Sequence, residues 1–140
     1  MKYPKTAPVK VIIIGAGGTG GYVIPHLYRI GFVAERSMRI LVCDGDVVEE
    51  KNLIRQNFVE QDVGRNKAQV LAERYSAAFG IECEYIPRFV ESEEELFQLT
   101  VPDFFKSSYR GIPETQRVIL LGCVDNNKSR KLCHAVFAKQ

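Results

Sequence analysis

The sequence contains no tryptophan, only two histidines, and four cysteines that form no C-x-x-C pair. Without paired cysteines there is no zinc ribbon or thioredoxin-type redox motif, and no structural zinc is expected. No apolar run approaches the length of a membrane span, so we expect no membrane partner. The first apolar run is followed by a glycine cluster rather than a clear cleavage site. With its unpaired cysteines, this favours a cytoplasmic protein.

The charge balance is nearly even, with 19 Lys and Arg against 17 Asp and Glu, for a net charge of +2. That balance argues against nucleic acid or an anionic membrane as the main partner. A hydrophobic content of 46% and a charged content of 26% are typical of a globular domain and exclude a disordered chain. The 140 residues are enough for one domain with one compact core.

Short apolar runs alternate along the chain with helical patterns. The runs lie at residues 9–14, 38–43, 81–86 and 118–123, and the helical patterns at 18–30, 67–79, 92–99 and from 128 onwards. The first helical pattern places Val23, Leu27 and Ile30 on one face and is predicted to stop at Gly31, with Pro25 inside it. The alternation predicts an α/β fold: a Rossmann-like, doubly wound, mainly parallel sheet flanked by helices. Residues 47–64 are predicted to form a loop with one short helical turn, and residues 101–117 a loop or insertion.

Polar features follow the first, second and fourth predicted strands, at residues 15–21, 44–46 and 125–127. In doubly wound sheets, ligands bind outside the carboxyl ends of the strands. Because these ends gather at one edge of a parallel sheet, the sequence predicts a binding site there.

The first of these features fits G-x-G-x-x-G between a strand and a helix, which is the context that a nucleotide-binding loop requires. Glycines let the backbone approach phosphate, and the helix N-terminus contributes N–H groups and a positive dipole end. Asp44 ends the second strand 24 residues after Gly20, where an acid can accept hydrogen bonds from ribose hydroxyls. An adenine nucleotide is therefore expected, with a structural turn beside a surface acid as the alternative. The predicted nucleotide-binding residues of this loop are Gly15, Gly17, Gly18, Thr19 and Gly20.

Side chains after the second and fourth strands favour ATP over NAD. Two cations, Arg55 and Lys67, can neutralise phosphate charge, and the Asp125 carboxylate can hold a Mg²⁺ ion that bridges phosphate oxygens. Asn52 and Gln56 lie in the same stretch as the first cation. Taken singly, both cations fit a solvated surface, and Asp125 fits a helix cap. An NAD(P)-dependent oxidoreductase domain remains the alternative, for which the two cations and Asp125 would be dispensable.

Four motifs in order resemble the ThiF/MoeB/HesA family, the bacterial relatives of ubiquitin-activating enzymes. The motifs are Gly15-x-Gly-Gly-Thr-Gly-Gly21, Asp44-x-Asp46-x-Val48-x3-Asn52-Leu53-x-Arg55-Gln56-x-Phe58, Asp62-Val63-Gly64-x2-Lys67-Ala68 and Asp125-Asn126. Thr19 and the run from Arg55 to Ala68 are similar to the ThiF-like proteins of PRTRC gene clusters. The resemblance covers about residues 9–135, which correspond to about the first half of the family's domain. We therefore expect residues 1–140 to be a single ATP-binding domain that is truncated at its C-terminus.

The resemblance implies ATP-dependent adenylation, or AMP transfer, on the C-terminal carboxylate of a ubiquitin-like, ThiS–MoaD-like β-grasp protein. It also implies Mg²⁺ and a homodimer. The glycine loop would cradle the nucleotide, and Asp44 would bind the ribose. Gln56 would support the loop, Asp46 would lie near the nucleotide, and Asn126 would lie near the adenine or another part of the nucleotide. The residues implied to contact the phosphates are Asn52, Arg55 and Lys67, and the residue implied to bind Mg²⁺ is Asp125. The implied catalytic residues are Arg55, Lys67 and Asp125.

The sequence departs from the family's pattern in two ways. The family's dimers bring an arginine into the partner's phosphate site from a helix before the first strand, whereas the basic residues among residues 1–9 are lysines and none is an arginine. The zinc and sulfur-transfer cysteines of the family belong to a second half for which this sequence has no match. A non-catalytic nucleotide-binding or interaction module is therefore a further alternative. Near the C-terminus, Lys128, Arg130 and Lys131 are predicted to form a solvated helix face or to contact an acidic partner.

Overall fold

Strands and helices alternate in the computed structural model, which describes residues 7–34, 37–102 and 116–139. Two 3₁₀ turns, Glu50–Asn52 and Glu60–Asp62, lie in the connection between the second strand and the second helix. The elements in these ranges are β1 (Val9–Ile14), α1 (Gly18–Val33), β2 (Met38–Cys43), α2 (Lys67–Phe79), β3 (Cys83–Ile86), α3 (Glu93–Thr100), β4 (Arg117–Gly122) and α4 (Asn127–Phe137).

The four described strands form one parallel sheet in the order β3-β2-β1-β4. Val9 pairs with Met38 of β2 on one side and with Arg117 of β4 on the other. From β1 the chain adds β2 and then β3 on one side, and it then crosses to add β4 on the other side of β1. The direction in which strands are added therefore reverses between β1 and β4. This confirms the predicted Rossmann-like parallel sheet.

The central strand β1 is buried on both faces, which explains its nearly all-apolar sequence. Val11 and Ile13 join one core cluster, formed with α1 and α2, and Ile12 and Ile14 join the other, formed with α3 and α4. The sheet therefore lies between two helical layers, and both layers leave its carboxyl edge open to a ligand.

Helix α1 differs from its prediction in its end and in its buried face. Ile24 and Tyr28 are fully buried, whereas Ile30 is 55% exposed. Leu27 packs against the same core cluster, so the predicted face is wrong at Ile30 and missed the two fully buried residues. The helix also continues beyond Gly31 to Val33. A methyl group on Gly31 would stand 2.8 Å from the Met38 sulfur, so this glycine provides room for β2 rather than a stop.

The remaining boundaries follow the predictions closely. Helix α2 has the predicted bounds and ends at Gly80 in the left-handed conformation, and the Ser92 hydroxyl caps α3 by accepting a hydrogen bond from the Glu95 amide. Strand β3 begins two residues later than predicted, and β4 begins one residue earlier. Most of the predicted loop at 101–117 lies outside the described residues, but Arg117 already belongs to β4. In the described part, no helix is both long and apolar enough to cross a bilayer.

Pro25 lies inside α1 without ending it, because another part of the chain satisfies the group that it leaves unpaired. A proline has no amide hydrogen, so the carbonyl four residues earlier, that of Gly21, loses its helical donor. The Asn57 side-chain amide donates to this carbonyl at 2.9 Å and to the Tyr75 hydroxyl of α2 at 2.7 Å. Asn57 thereby joins α1 and α2 to the connection that carries Arg55.

We expect Asn57→Ala to lower the free energy of unfolding by about 1–2 kcal/mol, because it leaves the Gly21 carbonyl without its donor. In a Pro25→Ala background the new amide hydrogen can supply that donor, so the same substitution should cost less. Urea unfolding of the four proteins of this cycle measures the coupling. Asn127→Ala, in α4, is the control that should be additive with Pro25→Ala. Additive effects of Asn57→Ala and Pro25→Ala would contradict the compensation.

Candidate functional site

A cavity of about 480 Å³ opens at the carboxyl edge of the sheet, a size typical of small-molecule sites. It is bounded by the ends of the strands and by the first turn of α4. Of the predicted site residues, the cavity brings together Gly15, Gly17, Gly18, Thr19, Asp44, Asp46, Arg55, Gln56, Lys67, Asp125 and Asn126.

Two glycines of the loop are required by close backbone approaches. Gly15 has φ +100°, and a Cβ there would stand 2.7 Å from the Cys123 carbonyl oxygen after β4. A Cβ on Gly20 would stand only 1.9 Å from the Gly15 carbonyl oxygen. These contacts hold the start of α1 against the ends of β1 and β4.

The two glycines between them, Gly17 and Gly18, serve a different purpose, because no backbone of the other described elements crowds them. Apart from the adjoining residues and the helix's own backbone, no heavy atom of the described residues lies within 4 Å of a Cβ placed on Gly18, and the nearest to one on Gly17 are the Gln56 amide atoms at 3.9 Å. Helix α1 starts here without a side-chain cap or an acidic residue in its first turn. Its N-terminal amides and positive dipole end therefore face the cavity uncompensated, as a phosphate site requires.

Asp44 is a buried acid that braces the loop. Its two carboxylate oxygens accept hydrogen bonds from the Ala16 amide at 2.6 Å and from the Asp46 amide at 2.8 Å. Burial raises the pKa of Asp44, and these two hydrogen bonds oppose that shift. Each oxygen keeps a second lone pair, so the carboxylate is able to accept a ribose hydroxyl as well.

Arg55 lies at the cavity with an unengaged guanidinium. Among the described residues, its side chain makes no hydrogen bond or ion pair with any other group, and it is exposed. The turn that carries it is held by the Asn52 carbonyl, which accepts the amides of Arg55 and Gln56. Beside it, the Gln56 Oε1 atom is buried and has no hydrogen-bond partner among the residues that the structure describes. An unpaired cation and an unpaired acceptor at one cavity are typical of a site built for a ligand.

Lys67 is a buried cation at the start of α2. Its ammonium lies 3.4 Å from an Asp46 carboxylate oxygen, and its side chain is 7% exposed whereas that of Asp46 is 57% exposed. Asn66 caps α2 and donates from its amide to the carbonyls of Asp44 and Asp46. The cap therefore fixes the lysine beside the acidic turn after β2.

Asp125 and Asn126 divide two tasks at the start of α4. The Asn126 side chain accepts the Ser129 amide at 2.8 Å and is the helix cap, so the predicted alternative that Asp125 caps this helix is wrong. Among the described residues, the Asp125 side chain has no hydrogen-bond or ion-pair partner and is exposed at the cavity. The carboxylate is thus left available to a ligand or a cation.

Two predicted site residues do not line the cavity. The Asn52 side chain is buried, and its oxygen accepts the Glu49 amide at 2.9 Å, which closes a 3₁₀ turn. Gly20 is buried behind the loop. Both act on the cavity through the backbone that they shape.

The cysteines at the cavity stay protonated. Burial raises the pKa of the Cys43 thiol to about 12, and burial also raises the pKa of the Cys123 thiol. Since the thiolate is the nucleophilic form, neither side chain is activated for covalent chemistry.

The described residues contain no group of three or more His, Cys, Asp or Glu side chains placed to hold a metal ion by themselves. A magnesium ion bound with a nucleotide needs fewer protein ligands, because phosphate oxygens and waters complete its octahedron. The exposed, unpartnered Asp125 carboxylate fits that smaller requirement.

Several cavity residues were not predicted from the sequence. Phe89, Val90 and Glu91 follow β3, where no polar pattern marked a site. Lys128 and Arg130, on the first turn of α4, line the rim, and the Lys128 ammonium lies 3.3 Å from a Glu91 oxygen. The position of these two cations just after Asp125 was the one signal for them in the sequence.

Comparisons with known proteins identify a family and several similar proteins. A family model described as the ThiF family matches residues 3–140. The ATP-dependent ubiquitin transferase-like protein Cap2 of Enterobacter hormaechei is 32% identical over 98 residues, which are 66% of this chain and 16% of that protein. The NEDD8-activating enzyme E1 catalytic subunit of Saccharomyces cerevisiae is 35% identical over 71 residues, which are 50% of this chain and 22% of that protein.

A crystal structure of E. coli MccB with ATP has a TM-score of 0.55 and 32% identity, over 71% of this chain and 27% of that one. The chain therefore spans about a quarter or less of the length of these three relatives.

Proposed function

Because the chain belongs to the ThiF family, we propose that it binds ATP in the carboxyl-edge cavity and transfers AMP to a carboxylate. The observation that carries the proposal is the shared cavity itself, which collects the glycine loop, two cations and a free carboxylate from three different strand ends. The solved MccB complex with ATP supports the choice of nucleotide. The named relatives are activating enzymes or transferases, which favours adenylation over an NAD(P)-dependent oxidoreductase.

In the proposed reaction, a carboxylate oxygen of the substrate attacks the α-phosphorus of ATP. A bond forms between the carboxylate oxygen and the α-phosphorus. The bond from the α-phosphorus to the oxygen that bridges it to the β-phosphorus breaks, and pyrophosphate leaves with that oxygen and the electrons of the broken bond. No proton is transferred, since the attacking group is already ionised at neutral pH. The products are an acyl-adenylate and pyrophosphate.

The residues of the chain would lower the barrier by positioning and by charge. Arg55 and Lys67 would neutralise the negative charge that grows on the phosphate oxygens and on the leaving pyrophosphate. The open N-terminus of α1 would hold phosphate through backbone amides. Asp44 would fix the ribose, and so the α-phosphorus, relative to the attacking carboxylate.

Asp125 would hold the Mg²⁺ ion that accompanies ATP. Such an ion supplies charge neutralisation and a fixed geometry for the phosphate oxygens to which it binds. The free carboxylate at the cavity, with Asn126 engaged as the cap of α4 beside it, is the feature of this chain that favours that role.

The substrate that we propose is a ubiquitin-like β-grasp protein with a free C-terminal carboxylate. One similar protein is named as ubiquitin transferase-like and another as a NEDD8-activating enzyme subunit, which supports this class of substrate. We also propose a homodimer in the cytoplasm, in which β4, an edge strand of the described sheet, is one surface open to a partner. The narrower likeness to PRTRC-system proteins stays a prediction.

The experiment that tests adenylation is the exchange of labelled pyrophosphate into ATP in the presence of a candidate β-grasp protein. We expect exchange with the free C-terminal carboxylate and none with the same protein blocked as its C-terminal amide, because the amide has no ionised oxygen to attack. Binding of ATP without exchange across a panel of such proteins would instead support a non-catalytic nucleotide-binding module.

Substitutions at two cavity residues sharpen this test. Arg55→Ala and Asp125→Asn should each lower the exchange rate by about 100-fold or more, the effect typical of losing one group that stabilises the transition state. Arg65→Ala is the matched control: Arg65 lies in the same connection, pairs with Glu73 at 2.5 Å, and does not line the cavity. Equal rates for Arg55→Ala and Arg65→Ala would exclude Arg55 from the reaction.

A further inference from the structure

Phe89 is an aromatic side chain at the cavity to which neither the motifs nor the family comparison assigns a role. It follows β3, lines the cavity, and is 57% exposed. Other large apolar side chains of the described residues are at least as exposed, so what distinguishes this ring is its place at the cavity. It lies beside Val90, which is buried and also lines the cavity.

The ring is held against the backbone of the acidic turn after β2. Three consecutive ring atoms, Cγ, Cδ2 and Cε2, lie 2.6–2.8 Å from the point where a Cβ on Gly45 would stand. A point in the plane of the ring and this close to its edge would be clearly nearer to one ring atom than to that atom's two neighbours. The three similar distances therefore show that the ring turns its face to Gly45. One face therefore packs on the glycine, and the exposure of the side chain comes from the opposite side.

The strand order determines which part of a nucleotide reaches this ring. Along the carboxyl edge, the order β3-β2-β1-β4 places Phe89 after β3, Asp44 at the end of β2, and the glycine loop after β1. A nucleotide with its phosphates at the glycine loop and its ribose at Asp44 continues in the same direction, so its base lies at the end of β3. Asn126 is on the other side of the phosphates, after β4, and its side chain already caps α4.

We propose that Phe89, supported from below by Gly45, is the platform on which the purine base of the nucleotide stacks. This inference rests on the proposed binding of ATP and adds the residue that recognises the base. Stacking on an aromatic side chain recognises a flat base through its π-face, whereas the charged groups of the cavity recognise phosphate.

Calorimetric titration with Mg·ATP and with Mg·tripolyphosphate, which has no base, separates these two contributions. Phe89→Ala should weaken ATP binding by about 5- to 150-fold and leave tripolyphosphate binding unchanged. Phe89→Tyr should bind ATP as the unmodified chain does. Phe137→Ala removes a ring that is 74% exposed and outside the cavity, so it is the matched control.

Gly45→Ala tests the support for the ring without removing it. The added methyl group overlaps a side chain that can swing outward, so we expect little change in thermal stability but weaker ATP binding, in the range of Phe89→Ala. The double variant should bind no more weakly than either single one. Additive losses would contradict a shared platform.

Phe89→Trp gives an optical readout, because the chain has no other tryptophan. Its fluorescence should be quenched in a saturable manner by Mg·ATP and not by Mg·tripolyphosphate. Unchanged ATP affinity in Phe89→Ala, with ATP binding intact in the unmodified chain, would overturn the stacking platform and leave the proposed function standing. Absence of ATP binding in the unmodified chain would overturn both.

Discussion

Gly20→Ala is expected to destabilise the chain more than any other single methyl addition in the glycine loop. The new Cβ would stand 1.9 Å from the Gly15 carbonyl oxygen and 2.9 Å from its carbon, and both are backbone atoms that cannot move independently. Gly15 already lies close to the backbone after β4, since a Cβ added to it would stand 2.7 Å from the Cys123 carbonyl oxygen, so it has little room to move toward β4. The loop must therefore separate from the start of α1.

We expect a loss of about 3 kcal/mol or more, at the upper end of overpacking effects, and a Tm lower by roughly 10 °C. Gly18→Ala is the matched control for stability, because no described residue outside its own helix turn comes within 4 Å of its Cβ position and alanine favours helix over glycine. Thermal unfolding followed by circular dichroism compares the two. Equal Tm values for both variants would show that the close approach at Gly20 does not exist.

Lys67→Met is expected to weaken nucleotide binding strongly while it changes stability little. The methionine side chain keeps the length of the lysine stem in a site that is nearly closed to solvent. Asp46 loses its partner but is more than half exposed, so water can solvate its carboxylate. What disappears is a fixed charge in a region of low dielectric, where charges act most strongly on phosphate.

We expect ATP to bind about 10- to 100-fold more weakly to Lys67→Met, the effect of losing one charge-assisted hydrogen bond, while adenosine binds with unchanged affinity. Lys51→Met is the control: Lys51 is 73% exposed, pairs with Glu49 at 2.8 Å, and lies outside the cavity. A loss of adenosine affinity equal to that of ATP would place Lys67 away from the phosphates.

The fold was predictable because its signals are local. Nearly all-apolar runs such as 9–14 occur where a strand is covered on both faces, and each was followed by a turn that ended it. The errors arose where tertiary contacts decide. The end of α1 depends on Met38 packing at Gly31, and Pro25 is tolerated because Asn57 reaches the Gly21 carbonyl. Neither contact has a signal within its own stretch of sequence.

The candidate site was predictable where polar residues follow a strand, since the carboxyl ends of parallel strands share one edge. Asp44 and Asp125 meet at the cavity for this reason, whereas Lys67 reaches the cavity from the start of α2. Phe89 was missed because a phenylalanine after a strand has the same pattern as a core residue, and its place becomes clear only from the strand order and from Gly45. Asn52 was predicted to contact phosphate, but its side chain closes a turn instead.

The central claim is that the carboxyl-edge cavity is an ATP site, and isothermal titration of Mg·ATP into the full chain tests it most directly. Arg55→Ala and Asp125→Ala serve as site variants, and NAD and NADH as comparison ligands. We predict micromolar binding of Mg·ATP that is lost in both variants, with no heat from either dinucleotide. Binding of NAD that is indifferent to both substitutions would contradict the account, because a dinucleotide does not require those two side chains.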